Sequence, residues 1–290
     1  MFVNLSYVRS GFSDKLRVIT FHIALNNLLK LRKSFIIYET KNFQCPFKFV
    51  DYCKILGHRF IKAKKKYFKS NIFMNSYNSE IKLENCKKNN PFENIDNYKL
   101  LNEWKLSYKK LAPNSKLKKK INQIKLPNKF ISLHVRSTDR IIDFRRVLID
   151  LQLKDMFFEF QLKKFVENIS KIIKNKTKIK NVYVASDEQK SKNRVIKNLK
   201  KNGFKVYYNN CTFNNNFRQT NGQDFLADLF ALSKSKIIFT TVGGGIPLTA
   251  HLLSGERIKI IKFVNQINLF IFLRLFVLII FYLKRLKSRF

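Results

Sequence analysis

Arg136 stands just after the apolar run Phe130–Val135, which reads as a buried strand, so its guanidinium sits at the strand's carboxyl end. A planar, permanently charged fork suits a diphosphate because it can bond two oxygens at once. The same group stabilises charge that builds on a departing diphosphate. A salt bridge to Asp139 is the competing reading. Gly243, Gly244 and Gly245 precede an apolar helical run, Ile246–Leu253. Glycines at a helix N-terminus let backbone N–H groups approach an anion closely, although a triple glycine also serves as a plain tight turn. His134 either bonds a nucleotide or sugar or caps the strand edge. Ser186 and Asp187 follow a second strand-like run, Val182–Ala185; Asp187 either accepts bonds from a ribose or base, or caps the helix that follows. Asp228 lies in a helical segment with Phe225, Leu229 and Leu232 on its core face, and points to solvent or into the site.

These residues need a scaffold that aims them together. Phe2–Tyr7, a break at Ser10–Asp14, a helical stripe from Leu16 to Leu31 capped by Ser13 or Asp14, and the run Ser34–Tyr38 make one βαβ unit. From Asp51 to Lys129 the periodicity is weak apart from a helical stretch near Tyr98–Leu111, and the basic, polar stretch from Pro113 to Pro127 reads as an interdomain linker. Beyond it, strands at Phe130–Val135, Asn181–Ala185, Phe204–Tyr208, Ile237–Thr241 and Arg257–Phe263 alternate with helices at Lys154–Ile173, Lys190–Asn202, Asp224–Ser233 and Ile246–Leu253. That alternation predicts a parallel sheet with helices on both faces. In open α/β sheets ligands bind outside the carboxyl ends of the strands, so Arg136, Asp187 and the glycine run converge on one crevice.

The bulk composition narrows the partners. The 290 residues carry 58 Lys+Arg against 19 Asp+Glu, a formal net charge of +39, which favours phosphates, nucleotides and anionic surfaces. Lys, Asn, Ile and Phe are all abundant, as an A/T-rich coding sequence produces, and runs such as Lys62–Lys66 and Lys116–Lys120 read as solvated faces. No zinc-finger spacing, aromatic RNA-binding motif or basic recognition helix appears, so no specific nucleic-acid partner is expected. Cys45, Cys53, Cys86 and Cys211 form no Cys-x-x-Cys pair and cluster with no His, so no metal site is expected. The first residues lack the pattern of a signal peptide, and a cytoplasmic setting is the expectation. Ile267–Leu283 is nearly all apolar but is broken by Arg274 and followed by Lys284, Arg285, Lys287 and Arg289. A bilayer span takes about 20 apolar residues. The tail therefore reads as a helix lying on an anionic membrane surface, the alternative being a terminal helix packed on the domains.

HVRSTD at His134–Asp139 resembles the His-x-Arg-x-x-Asp motif of the α1,6-fucosyltransferases and protein O-fucosyltransferases. VYVASDE at Val182–Glu188 and DLFALSKSKIIFTTVGGG at Asp228–Gly245 are similar to the second and third motifs of that superfamily. Ser10–Ile37 resembles its N-terminal glycine turn and helix, and Pro46–Cys53 the segment after the second strand. The resemblance implies a GT-B fold, GDP-fucose as donor substrate with no cofactor or metal, and inverting transfer. By position, Arg136 would hold the diphosphate, His134, Ser186, Asp187 and Asp228 would help bind the nucleotide, and Gly243 and Gly244 would offer backbone donors. Gly11 and Asp14 would face the donor from the other domain. Ser137 replaces the second Arg of the α1,6 members, glycines replace serines at the end of the third motif, and Asp14 replaces an Asn or Gln type. A carboxylate is unfavourable beside a diphosphate, which assigns Asp14 to sugar or acceptor instead. An inverting reaction needs a base for the acceptor hydroxyl, and Asp143 lies within one residue of the Glu that the α1,6 enzymes place there; a salt bridge to Arg145 or Arg146 is the alternative.

The expectation is thus an α/β chain of GT-B type, two Rossmann-like domains facing across a cleft. Residues 1–128 would form the acceptor-side domain, 129–263 the nucleotide-sugar domain, and 264–290 a hydrophobic basic tail. The expected activity is fucose transfer to a glycan acceptor in cell-surface polysaccharide or lipopolysaccharide assembly at the inner membrane face. A related transferase with another nucleotide-sugar donor and a catalytically degenerate membrane-associated binding protein are the alternatives.

Overall fold

A computed structural model describes residues 2–4, 12–30, 34–38, 47–57, 59–62, 96–136, 154–211, 221–241 and 245–262. In chain order the strands are β1 (Phe2–Asn4), β2 (Ser34–Tyr38), β3 (Cys53–Ile55), β4 (Arg59–Lys62), β5 (Leu111–Pro113), β6 (Ile131–Val135), β7 (Asn181–Ser186), β8 (Lys205–Tyr208), β9 (Ile237–Thr240) and β10 (Lys259–Lys262). The α-helices are α1 (Phe12–Leu28), α2 (Asn97–Ser107), α3 (Ser115–Gln123), α4 (Lys154–Lys176), α5 (Gln189–Lys201), α6 (Gly222–Leu232) and α7 (Gly245–Leu253). They divide into two compact units, one of Met1–Lys125, Asn221–Lys234 and Gly244–Lys259, the other of Leu126–Thr220, Ser235–Gly243 and Ile260–Phe290.

In the first unit β1, α1 and β2 form the expected βαβ crossover. β2 pairs in parallel with β1 on one side and β4 on the other. Helix α1 begins earlier than its periodicity suggested. Ser13 and Asp14 lie inside its first turn rather than capping it, because Phe12 is buried within a ring cluster and takes the first helical position. The stretch read as a linker contains a helix. Asn114 caps α3, its side chain accepting from Leu117 N–H at 2.9 Å, and Leu117, Ile121 and Ile124 supply a buried stripe at helical spacing. Lys120 of α3 pairs with the buried Asp224 of α6 at 2.8 Å, and Asn221, which caps α6, donates to the other carboxylate oxygen at 2.7 Å. Trp104 of α2 fixes the α1–α2 packing by donating from Nε1 to Thr20 Oγ1 at 2.9 Å.

The second unit is a five-stranded sheet in the order β10-β9-β6-β7-β8, with β6 parallel to both β7 and β9, and β7 parallel to β8. Every residue of β6 is buried, which is why its sequence is apolar or small apart from His134. The core joins Ile131, Leu133 and Val135 of β6, Val182 and Val184 of β7, Phe165, Ile169 and Ile173 of α4, and Val195 and Leu199 of α5. Helix α5 ends on Gly203, whose positive φ of 82° lets Gly203 N–H reach Lys200 O and Phe204 N–H reach Leu199 O, both at 3.1 Å. That closure sets the chain directly into β8.

Candidate functional site

Strand order decides where the second unit presents its chemistry. The chain runs from β6 to β7 to β8 on one side and then returns to place β9 against the other edge of β6. The reversal falls between β6 and β9, and in open parallel sheets ligands bind at such a point, outside the strands' carboxyl ends. His134 is in register with Thr240 of β9 and Ala185 of β7, and Val135 with Ser186. Polar residues that are far apart in sequence therefore end three adjacent strands.

Arg136 is held by its backbone. Its N–H donates to Thr241 Oγ1 at 3.0 Å, the same hydroxyl donates to Arg136 O at 3.4 Å, and Thr241 N–H donates to His134 O at 3.2 Å. One threonine thus extends the β6–β9 ladder by a residue and fixes where the half-buried arginine leaves the sheet. His134 is buried, with Nδ1 3.4 Å from Thr240 Oγ1. Burial holds its pKa down to about 4; the Asp187 carboxylate pulls it upward and the Arg136 guanidinium pushes it down further. The imidazole is therefore neutral at pH 7, and Arg136 carries the positive charge. Ser186 accepts from Glu188 N–H at 3.2 Å and donates to Glu188 O at 3.1 Å, tightening the turn into α5. The N-cap of α5 is Glu188, so Asp187 is not the cap and stands half-buried one residue earlier.

In the first unit the N-termini of two helices meet. A Cβ on Gly245, the first residue of α7, would lie 2.9 Å from Ser13 Cβ and 3.1 Å from Ser13 Oγ in the first turn of α1. Only a residue without a side chain permits that approach. Both helices turn their first-turn N–H groups and the positive ends of their dipoles toward this corner. Asp14 pairs with Arg17 at 3.2 Å, one turn along α1, and Asp228 is buried on α6. Gly11, Asp143, Gly243 and Gly244 lie outside the described residues, as do Ser137, Asp139 and the tail beyond Lys262. Among the described residues no group of His, Cys, Asp and Glu is arranged to hold a metal ion.

No family model and no curated protein sequence matches the chain. Among solved structures it is similar to the NodZ alpha-1,6-fucosyltransferase soaked with GDP-fucose, at 13% identity over 87% of this chain and 91% of that one, with a TM-score of 0.53. It is also similar to the fucosyltransferase NodZ from Bradyrhizobium, at 14% identity over 91% of this chain and 95% of that one, with a TM-score of 0.49. POFUT1 in complex with GDP gives 12% identity over 91% of this chain and 98% of that one, with a TM-score of 0.48. The chain has a fucosyltransferase fold. That fold is the GT-B α/β type, and the first of these likenesses, spanning nearly the whole of both chains, establishes it.

Within the fucosyltransferase fold the second unit brings His134, Arg136, Ser186 and Asp187 together. Thr240 and Thr241, which the sequence did not single out, complete the group by fixing His134 and Arg136. Their only local signal is a pair of hydroxyls immediately after the buried run Ile238–Phe239.

The buried histidine has a thermodynamic signature. An unfolded histidine takes up its proton near 6.5, whereas His134 stays neutral down to about 4. Between those values the unfolded state binds the extra proton, so stability falls as pH falls, by up to about 1.4 kcal/mol per pH unit for one group. Melting temperature measured from pH 6.5 down to 4.5 should fall more steeply in the wild type than in His134→Gln. His22 is also buried with a lowered pKa, but it contributes equally to both proteins. Parallel curves would refute the assignment.

Proposed function

We propose that this chain is an inverting, metal-independent glycosyltransferase that moves fucose from GDP-fucose to a glycan acceptor. The observation that carries the reading is Arg136 at the reversal of strand order, its backbone clamped by Thr241 and its neighbour His134 kept neutral. A cation carried on a backbone fixed at that position suits the charge that grows on a leaving diphosphate. The solved NodZ structure similar over nearly the whole chain was soaked with GDP-fucose, which favours that donor.

In this mechanism the acceptor hydroxyl oxygen attacks the anomeric carbon and the bond from that carbon to the diphosphate oxygen breaks. The electron pair leaves with GDP, where Arg136 and backbone N–H groups at Gly243 and Gly244 neutralise it. The hydroxyl proton passes to the Asp143 carboxylate. His134, Ser186, Asp187 and Asp228 serve the nucleoside, and Gly11 and Asp14 serve the sugar or acceptor. The acceptor belongs to polysaccharide or lipopolysaccharide assembly, with the apolar, basic tail Ile267–Leu283 resting on the anionic inner face of the membrane. No helix among the described residues is long and apolar enough to cross a membrane.

Purified protein should release GDP slowly from GDP-fucose in the absence of acceptor, and more slowly still from GDP-mannose. UDP and CDP sugars should give none. Asp143→Asn should bind GDP as tightly as the wild type and lose at least about 100-fold in transfer, the lower end of the range for general base catalysis. Equal turnover of all donors, or none of any, would defeat the donor assignment; full turnover in Asp143→Asn would remove only the base.

A further inference from the structure

Helices α4 and α5 of the second unit leave a groove of about 530 Å³ between them, away from the strand ends that carry Arg136. Its lining is Lys163, Val166 and Glu167 of α4 with Arg194, Lys197, Asn198 and Lys201 of α5. Among the described residues four cations therefore face one carboxylate. Lys163, Lys197 and Lys201 are solvent-exposed, while Val166, Arg194 and Asn198 are half-buried and form the floor. Long basic side chains lay their methylene stems along such a floor and keep their charges at the rim. The two helices are pinned where Ser170 Oγ donates to Asn198 Oδ1 at 2.6 Å, so the groove is a fixed feature of their packing. Lys171 and Lys174 extend the exposed basic face along α4, and Lys174 sits over the Phe204 ring at 5.8 Å.

We infer that this groove is a binding surface for anionic phospholipid, separate from the donor site and additional to the C-terminal tail. Val166 and the methylene stems of the basic side chains give the groove a mostly carbon surface under a cationic rim, which matches a lipid's two halves, glycerol and acyl carbons below and phosphate at the edge. A nucleic-acid strand would instead call for aromatic platforms along a basic track, and none of the described residues that line the groove is aromatic. The same chain carries a second stretch of this chemistry, Ile267–Leu283 followed by Lys284, Arg285, Lys287 and Arg289. Two separate contacts restrict how a protein turns on a bilayer, whereas a tail alone tethers it without setting its orientation. Each basic side chain near an anionic leaflet adds about 1 kcal/mol, so the rim is strong enough to matter beside the tail.

The test is co-sedimentation of the full-length protein with sucrose-loaded vesicles at about 0.15 M salt, where the Debye length is near 8 Å. Vesicles of mixed phosphatidylglycerol and phosphatidylcholine are compared with phosphatidylcholine alone. The groove variant is Lys163→Glu/Lys197→Glu/Lys201→Glu. The control, Lys116→Glu/Lys118→Glu/Lys119→Glu, makes the same charge change on exposed positions of α3. The groove variant should lose at least roughly tenfold in partitioning to the anionic vesicles, and the control less than about threefold. Neither protein should bind phosphatidylcholine alone. The neutral set Lys163→Gln/Lys197→Gln/Lys201→Gln should lose a smaller part of the binding, and it decides the matter if charge reversal disturbs folding. Equal losses in the groove and control variants would reduce the effect to bulk charge and overturn the inference. So would unchanged binding in both groove variants, or loss of polyuridylate binding with vesicle binding intact. Because GDP binding is measured separately, failure here leaves the donor-site reading untouched.

Discussion

Arg136→Ala should lose GDP affinity on the order of 100-fold while melting at nearly the wild-type temperature. A guanidinium that bonds two diphosphate oxygens makes two charge-assisted hydrogen bonds, together about 3 kcal/mol, and each 1.4 kcal/mol is a factor of ten. Little of that should return in Arg136→Lys, because an ammonium restores the charge without the planar fork. Thr241→Val separates position from charge. It keeps the shape of the strand end but removes the hydroxyl that accepts from Arg136 N–H at 3.0 Å and donates to Arg136 O. The arginine remains but is less well aimed, and a loss of roughly tenfold is expected, in line with one neutral hydrogen bond. Calorimetry with GDP, UDP and CDP checks all three variants. Equal, weak binding of every nucleotide by wild type and Arg136→Ala alike would sink the donor-site reading.

The largest stability effect should come from Phe12→Ala. Phe12 is 2% exposed, and its ring lies 5.1 Å from Phe47, 6.4 Å from Phe49 and 5.9 Å from Phe225. It ties the first turn of α1 to the segment before β3 and to α6. Truncating a buried phenylalanine costs about 3–5 kcal/mol, and ring pairs add about 0.5–1.5 kcal/mol beyond area alone. Phe12→Leu fills most of the space and should cost less than half as much. The single tryptophan gives a local readout, since Trp104 belongs to the first unit and bonds Thr20 of α1. In urea the Trp104 fluorescence transition should move to lower denaturant in Phe12→Ala. A shift under about 1 kcal/mol would mean that the ring cluster does not hold α1.

The second unit was legible in the sequence because its strands are short apolar runs separated by helices with a clear period. Ile131–Val135, Asn181–Ser186 and Ile237–Thr240 fall within a residue of their expected limits. Pairing polar residues at those strand ends required only the rule for parallel sheets; His134 and Ser186 do fall on adjacent strands, and Arg136 and Asp187 directly follow them. Helix α3 was hidden by its charge, since the four lysines within Lys116–Lys120 masked Leu117, Ile121 and Ile124. The start of α1 was misplaced for the opposite reason. Ser13 and Asp14 are cap-type residues, but a tertiary ring cluster fixes the helix start at Phe12. Thr240 and Thr241 gave no warning because threonine at a strand end is ordinary β chemistry. The association of α6 and α7 with the first unit rests on Lys120 meeting Asp224 and Ser13 meeting Gly245, contacts that leave no trace in local sequence.

That association bears on how the chain is made. The first unit draws on three separate stretches, the last running to Lys259. On the ribosome, α1 and α3 emerge long before the helices that complete them, and Phe12 waits for Phe225 while Asp224 has yet to reach Lys120. The second unit's first three strands and two helices are continuous from Ile131 to Tyr208, so they can condense while the earlier part is still open. Three strands of the second unit's sheet are thus available before the last stretch of the first unit, leaving an interval in which a cationic, aromatic N-terminal segment lacks α6 and α7 to pack against.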